Sequence, residues 1–500
     1  MHRSAVLLLL AALLAAPPVR AADEIHWTLT GPSSVTFDWR GSDEALRFGL
    51  TSLYGSDAAG VTPSPVPFSS AGPFWEASLT GLLPNTVYHY SIAGGPDHLF
   101  HTMPTVEASF SIYVEGDVGD TSTNSRVGPV QSLIAAGAPA FVLVVGDLTY
   151  GNVYGQVVVD SHFNNVMKWS QDAAYMPAWG NHEWDLPTDD LRNYKGRFDF
   201  PNPQTSPGAP AESCCGEDWY WFDYGNVRFI AYPEPFSGAW SDWNTRVGTL
   251  MDAAQADPAI RFIVTFGHRP AYSSGSHPGS ATLAGYMNAL GASHGKYVLN
   301  LNGHSHNYER SHPQSGVTHV TVGIGGSSLE EESGTCLYAG GCPPPSWSAF
   351  RAFHHGALRL TFSPTSIQGE AICGPPGYTG ANLNDITCSP GDVFDSFVIG
   401  NEVGIPPPPP PVARLAFESI VPNPSASGLK IAYSLGGWAP ARLLLVDLSG
   451  RRIFERDLGT PGPGRHTAQL DPSSVPAPGL YWLRLSQAER SVYSKVTFTR

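Results

Sequence analysis

Four short apolar runs in the middle of the chain end in a glycine followed by a carboxylate or an imidazole. Phe110–Val114 precedes Gly116-Asp117, Phe141–Val145 precedes Gly146-Asp147, Arg261–Phe266 precedes Gly267-His268, and Tyr297–Leu301 precedes Gly303-His304. Runs of this length suit buried strands and are too short for helices. Between the first two, Val127–Ala136 reads as a helix. Strand, helix and strand with polar loops at the strand ends is the pattern of an α/β layered fold. Such folds gather functional groups at the carboxyl ends of their strands. The reading predicts a central α/β unit over residues 108–402.

The flanks read differently. Gly 53 and Pro 45 against only 14% charged residues favour β-rich, loop-rich structure over long surface helices. Over 24–105 the pattern predicts a small β-sandwich, with Val35-Thr36-Phe37-Asp38-Trp39 alternating as a strand does. Leu82, Pro84-Asn85-Thr86, Tyr88 and Tyr90 resemble the end of a fibronectin type III domain, where a Leu and a Tyr pack around a Pro-Asn turn. Leu99–Pro104 would be its last strand and exit. Prolines 406–411 make 403–412 a stiff linker. The last unit, 413–500, alternates at Leu443–Asp447 and Gly479–Leu485. Val421-Pro422-Asn423-Pro424, Asp447-Leu448-Ser449-Gly450-Arg451 and Gly479-Leu480-Tyr481 resemble the β-sandwich appended to many exported bacterial proteins. That resemblance implies engagement of secretion machinery or attachment to the cell surface; a plain accessory sandwich is the alternative.

The formal net charge of −15 argues against nucleic acid as a partner, because phosphate backbones are held by Lys and Arg. Arg3, the apolar run Ala5–Ala16 and the small residues Ala21-Ala22 read as a signal peptide over 1–22, with an uncleaved membrane anchor as the alternative. No later stretch is long and apolar enough to span a bilayer. The expected location is secreted or cell-surface. Six cysteines in an exported chain suggest disulfides. Cys336 with Cys342 and Cys373 with Cys388 would close short loops, whereas the adjacent Cys214 and Cys215 are harder to place.

Five motifs follow in order: Gly116-Asp117-Val118-Gly119, Gly146-Asp147-Leu148-Thr149-Tyr150, Gly180-Asn181-His182-Glu183, Gly267-His268-Arg269-Pro270 and Gly303-His304-Ser305-His306. Each alone is weak, since a Gly-Asp at a strand end is usually a turn. Together, hard oxygen donors mixed with imidazoles suit a pair of transition-metal ions. The set resembles the calcineurin-like metallophosphoesterases. Most of them carry His two residues after the first Asp and Asp three residues after the second. This chain has Gly119 and Tyr150 there. Both departures are shared by the purple acid phosphatases, in which an imidazole ligand is lost and a phenolate that favours ferric iron is gained.

The resemblance implies a four-layer α/β sandwich domain between two all-β sandwiches. It also implies an acid phosphatase in which metal-bound hydroxide attacks a phosphate monoester at an Fe(III) and divalent (Fe, Zn or Mn) pair. By position, Asp117, Asp147, Tyr150 and His306 would hold the ferric ion. Asp147 would bridge to the second ion, completed by Asn181, His268 and His304. His182 would contact phosphate and protonate the leaving group, and His277 would line the site. Arg269 and Tyr308-Glu309-Arg310 would support the ligands, while His354 and His355 read as structural. Two other readings stay open: a phosphodiesterase or nucleotidase on the same fold, and a surface adhesion protein with an inert core.

Overall fold

The computed structural model describes residues 22–499 apart from 123, 185–190, 211–215, 330–337, 376–385, 387, 401–414, 436–439, 448–449, 460–463, 471–476 and 489. Residues 1–21 of the proposed signal peptide and the proline linker lie outside these residues, whereas Ala22 is described and opens the first strand. The chain divides into two compact units, 1–401 and 402–500.

The first unit opens with a seven-stranded antiparallel sandwich. Ala22–Gly31 (β1), Ser34–Gly41 (β2) and Phe74–Leu79 (β5) form one sheet. Ala45–Gly49 (β3), Ser56–Ala59 (β4), Val87–Ile92 (β6) and His98–His101 (β7) form the other, in the order β4-β3-β6-β7. Trp27, Val35, Phe37, Tyr90 and Phe100 fill the space between them. At the Pro-Asn turn, the Leu83 N–H donates to the Tyr88 hydroxyl at 2.8 Å.

Two larger sheets follow. The first joins Phe110–Glu115 (β8), Phe141–Val145 (β9), Ala174–Ala178 (β10), Gly356–Phe362 (β18), Ser366–Cys373 (β19) and Val393–Gly400 (β20), in the order β10-β9-β8-β18-β19-β20. Its β8, β9 and β10 are parallel. The second joins Trp221–Tyr224 (β11), Val227–Ala231 (β12), Phe262–Phe266 (β13), Tyr297–Asn302 (β14), Tyr308–Ser311 (β15), Thr318–Val322 (β16) and Ser348–Ala352 (β17), in the order β11-β12-β13-β14-β16-β15-β17. Here β12, β13, β14 and β16 are parallel. Every residue of Phe141–Val145 is buried, as a parallel strand covered on both faces requires. Aromatic rings bridge the sheets: Phe141 lies 5.7 Å from Phe222, and Phe229 lies 5.6 Å from Phe362.

The connecting segments Val127–Ala136 (α1), Gly151–Tyr154 (α2), Val157–Ser170 (α3), Arg192–Lys195 (α4), Ala239–Ala256 (α5) and Ala281–Ser293 (α6) are helical. α1 contacts β18 and α3, and α6 contacts α5 and β14. α6 starts where the Ser280 hydroxyl accepts the Leu283 N–H.

The sandwich and the central sheets share one continuous core, although the sequence divides them near residue 105. α3 packs on β1, and the Gln171 carbonyl accepts from the Trp27 indole and the Tyr90 hydroxyl. Arg197, 2% exposed, donates to Glu24 and Ser69 of the sandwich and to Asp160 and the Asn193 carbonyl of the central body. Asp160 also bonds Arg40 and Ser69.

The second unit is another β-sandwich. One sheet holds Ala416–Val421, Leu429–Leu435 and Gly464–Leu470, and the other holds Ala441–Asp447, Arg452–Gly459, Gly479–Gln487 and Arg490–Phe498. It has its own core around Ile431, Leu443, Leu445, Leu483 and Val496. Among the described residues no helix is long and apolar enough to cross a membrane. Cys373 and Cys388 are bonded. Cys342 is also in a disulfide, but its expected partner Cys336 lies outside the described residues, as do Cys214 and Cys215.

Candidate metal centre

All five motifs stand at the carboxyl ends of strands. Three follow the adjacent parallel strands β8, β9 and β10, and two follow β13 and β14 of the facing sheet. Pairing continues past the strand ends: Asp117 N–H donates to the Gly146 carbonyl and Val118 N–H to the Asp147 carbonyl. The chain then turns sharply. Asp117, Asp147, Tyr150 and His304 all adopt left-handed backbone, with φ of 55°, 52°, 61° and 68°. Non-glycine residues rarely do so, and such conformations cluster at functional sites. At Gly180 the need for glycine is steric, because a Cβ there would sit 2.2 Å from Asp147 Oδ1.

Two buried clusters result, and they share Asp147. One is Asp147, His268 and His304; the other is Asp117, Asp147 and His306, with the ligand atoms of each group within 4.8 Å of one another. Asn181 Oδ1 lies 3.1 Å from His268 Nε2, and the Tyr150 hydroxyl lies 3.1 Å from His306 Nε2 and 3.5 Å from Asp117 Oδ1. The seven expected ligand positions therefore converge. The ring tautomers are fixed from behind. His268 Nδ1–H donates to the Val145 carbonyl at 3.0 Å, and His306 Nδ1–H donates to the Ser328 carbonyl at 2.6 Å. That turns Nε2 of each ring towards the neighbouring carboxylates and amide, as a ligand atom shared with a cation would be. Carboxylates, a phenol, an amide and imidazoles gathered out of water around Asp147 fit two cations.

The electrostatics agree. Burial opposes charge on His268, but the Asp147 carboxylate outweighs it and pushes the imidazole up to about 10. A proton therefore stands where a cation could stand, and binding a metal would release it. Burial, then Asp117 and Asp147, push the Tyr150 phenol well above its usual range, so forming its phenolate needs a strong cation.

A cavity of about 290 Å³ opens over the clusters. Asp147, Tyr150, Val153, Tyr154, Asn181, His182, His277, His304, His306, Ser327 and Ser328 line it, while Asp117 and His268 lie buried beneath. His182 N–H donates to Asp147 Oδ1, and its Nδ1–H donates to Asn152 Oδ1 at 2.8 Å. Burial lowers the His182 pKa, against the pull of Asp147. The His277 ring stacks on His304 at 4.2 Å.

Arg269 donates to Glu234 at 3.0 Å and to His304 Nε2 at 2.6 Å. Glu309 accepts from the backbone and hydroxyl of Ser274 and so anchors the loop that carries His277. Tyr308 and Arg310 instead bind Asp395 on β20, away from the clusters. His354 and His355 are buried. His354 also lies near Cys373 and Cys388, but those sulfurs are bonded to each other and offer no thiolate.

Three contributors escaped the sequence reading. Glu183 accepts backbone N–H groups from Gly180 (2.7 Å), Leu148 (2.8 Å) and Asp147 (2.9 Å). Burial and the neighbouring Asp147 push its pKa up, while the three donors pull towards the carboxylate. Asn152 orients His182. The Ser327–Ser328 wall follows β16, and its glycine-rich approach Gly323-Ile324-Gly325-Gly326 was a visible signal of a tight loop at a strand end.

Residues 110–308 match the family model described as calcineurin-like phosphoesterase. The chain is 26% identical over 326 residues to purple acid phosphatase 15 of Arabidopsis thaliana, covering 55% of this chain and 58% of that protein. It is 24% identical over 375 residues to purple acid phosphatase 18 of the same plant, covering 69% and 80%. A solved purple acid phosphatase, PPD1 from yellow lupin (Lupinus luteus) seeds, superposes with a TM-score of 0.56 at 20% identity, over 76% of this chain and 74% of that one. This last likeness concerns the fold.

Proposed function

We propose that this chain, whose residues 110–308 match the calcineurin-like phosphoesterase model and whose relatives include purple acid phosphatases, is an exported acid phosphatase acting on phosphate monoesters. The observation that carries this reading is the single carboxylate, Asp147, shared by two buried ligand clusters with a phenol at the edge of one. Asp117, Asp147, Tyr150 and His306 would hold one ion, and Asp147, Asn181, His268 and His304 the other. The phenol favours Fe(III) in the first position, with divalent Fe, Zn or Mn in the second. Bound there, the pair supplies Lewis acidity to phosphoryl oxygens and acidifies water, which a ferric ion carries into acid pH.

The protein's own groups do the rest. Asn152 holds the His182 ring at the cavity wall through Nδ1, and the Asp147 carboxylate holds its backbone N–H. His182, in its protonated form, gives a proton to the leaving oxygen as the P–O bond breaks and water oxygen bonds to phosphorus, the water's own proton passing to solvent. His277, stacked on His304, closes the side of the phosphate subsite. Residues 1–22 would direct export, and the C-terminal sandwich would serve sorting or surface attachment.

The test combines metal analysis, visible spectrum and rates on purified full-length protein. Bound iron, a visible absorption band bleached by Tyr150→Phe, and faster cleavage of 4-nitrophenyl phosphate than of its bis ester are expected. Faster diester cleavage would make the enzyme a phosphodiesterase. Protein without iron, zinc or manganese would be an inert binding module.

A further inference from the structure

Four carboxylates gather at the seam between the N-terminal sandwich and the central body. Asp38 on β2 and Glu76 on β5 are cross-strand partners, so both side chains leave the same face of their sheet. On that face, two residues before Asp38, the Thr36 hydroxyl donates to Asp199 Oδ2 at 2.9 Å. Glu217 accepts the N–H of the next residue, Phe200, at 3.1 Å, from left-handed backbone with φ of 62°. Asp38 is 2% exposed and, among the described residues, neither of its oxygens has a hydrogen-bond partner. Among the described residues no Lys or Arg bonds any of the four, since Arg197 is paired with Glu24 and Asp160, and Lys195 with Asp218. Carboxylates are rarely buried without a counter-charge. Burial first, then Glu76, Asp199 and Glu217, push Asp38 well above its usual range, and burial pushes Glu217 up to about 8. The group therefore takes up protons or a cation.

The donor atoms select the cation. Hard carboxylate oxygens without imidazole or thiolate suit calcium or magnesium. His26, the cross-strand neighbour of Asp38 on β1, directs both ring nitrogens at backbone carbonyls. The four carboxylates do not form a closed shell among the described residues. Calcium, with flexible coordination that admits water, fits such an open set better than magnesium with its near-ideal octahedron. We propose that Asp38, Glu76, Asp199 and Glu217 hold a calcium ion that clips the sandwich to the central body. The site shares no residue with the candidate metal centre. Asp38 and Glu76 belong to the sandwich, and Asp199 and Glu217 to the central body, so neither body carries the site without the other.

The experiment follows thermal melts of the full-length protein at pH 8 in calcium-free buffer, in calcium chloride and in sodium chloride of equal ionic strength. An affinity of about 10⁻⁴–10⁻³ M, probed at about 10 mM calcium, predicts a calcium-specific rise of about 2–5 °C. Asp38→Asn should melt above wild type in calcium-free buffer, because it relieves like charges, and should lose the calcium rise. Glu76→Gln should also lose it, and because Glu76 is only half-buried this variant keeps the test decisive should Asp38→Asn fail to fold. Asp147→Asn, at the candidate metal centre, should keep the rise. No rise in wild type, a rise that sodium chloride reproduces, or a rise in Glu76→Gln equal to that of wild type overturns the site. Loss of the rise in Asp147→Asn together with its survival in Glu76→Gln would place the calcium at the metal centre and overturn it too.

Discussion

Glu183 touches no cation in the proposed mechanism, yet its removal should dismantle the centre. Its two carboxylate oxygens accept three backbone N–H groups, two of them in the turn that presents Asp147 and one at Gly180 beside Asn181. The side chain is fully buried, so bulk water does not share these bonds in the folded wild type. Each buried amide left without an acceptor costs about 1–3 kcal/mol. Glu183→Ala strands three of them and opens a hole. Water entering that hole recovers part of the loss, so the expected destabilisation is about 3–5 kcal/mol. Glu183→Gln is the sharper perturbation, because it keeps the shape. Both oxygens are already acceptors, so an amide nitrogen must face at least one N–H, donor against donor, at a cost of about 1–3 kcal/mol. The Asp147 turn then loosens, and metal affinity should fall about 10- to 100-fold. Urea unfolding of the chelator-treated protein reads the first effect, and metal retained against a competing chelator reads the second. Glu183→Gln within about 0.5 kcal/mol of wild type, with unchanged metal retention, would refute the reasoning.

Arg197→Met should cost about 1–3 kcal/mol, because the buried Glu24 and Asp160 carboxylates lose its charge-assisted hydrogen bonds and keep only Arg40 as a cation. Adding Glu24→Gln should recover part of that loss, and a double-mutant cycle by urea unfolding that shows no coupling would remove the clamp. Stability should also fall as pH rises from about 7 to 8, above the range in which the buried histidines His26, His162, His319 and His355, pushed down by burial, act in the opposite sense. Burial first, and neighbouring carboxylates after it, push Asp38 well above its usual range, and burial pushes Glu217 up to about 8. The folded chain therefore holds protons that the unfolded chain has released above about pH 4.5, so unfolding is favoured as pH climbs through that window. Thermal melts at pH 7 and pH 8 should show this, and Glu217→Gln should flatten the difference; a variant with the wild-type pH slope would exclude Glu217 as a source.

The positions that converge were legible in the sequence because each is a local event, a strand ending in glycine and a polar residue. The periodicity that marks a strand also marks where its functional end lies. Convergence needed only that the strands be neighbours, which parallel β8-β9-β10 and β13-β14 provide. The Ser328 contribution was not legible in the same way, since it is a backbone carbonyl that any residue supplies. Glu183 was hidden because its partners include a turn some 35 residues away in sequence. The fusion of sandwich and central body was hidden for the same reason, as Glu24 and Arg197 are separated by 173 positions. Composition and alternation describe strands one at a time and do not say which sandwich face is covered by a helix from elsewhere.

The left-handed turns at Asp117, Asp147, Tyr150 and His304 carry an evolutionary consequence. Each costs about 1 kcal/mol or more in backbone energy, which glycine would relieve. At Asp117, Asp147 and His304 thermal stability alone would favour drift to glycine, so selection for the chemistry holds these side chains in place, whereas packing of the buried Tyr150 ring offsets its own strain. A lineage released from that selection should erode here first. Its scaffold would outlast its metal site, and its descendants would melt later than their active ancestor.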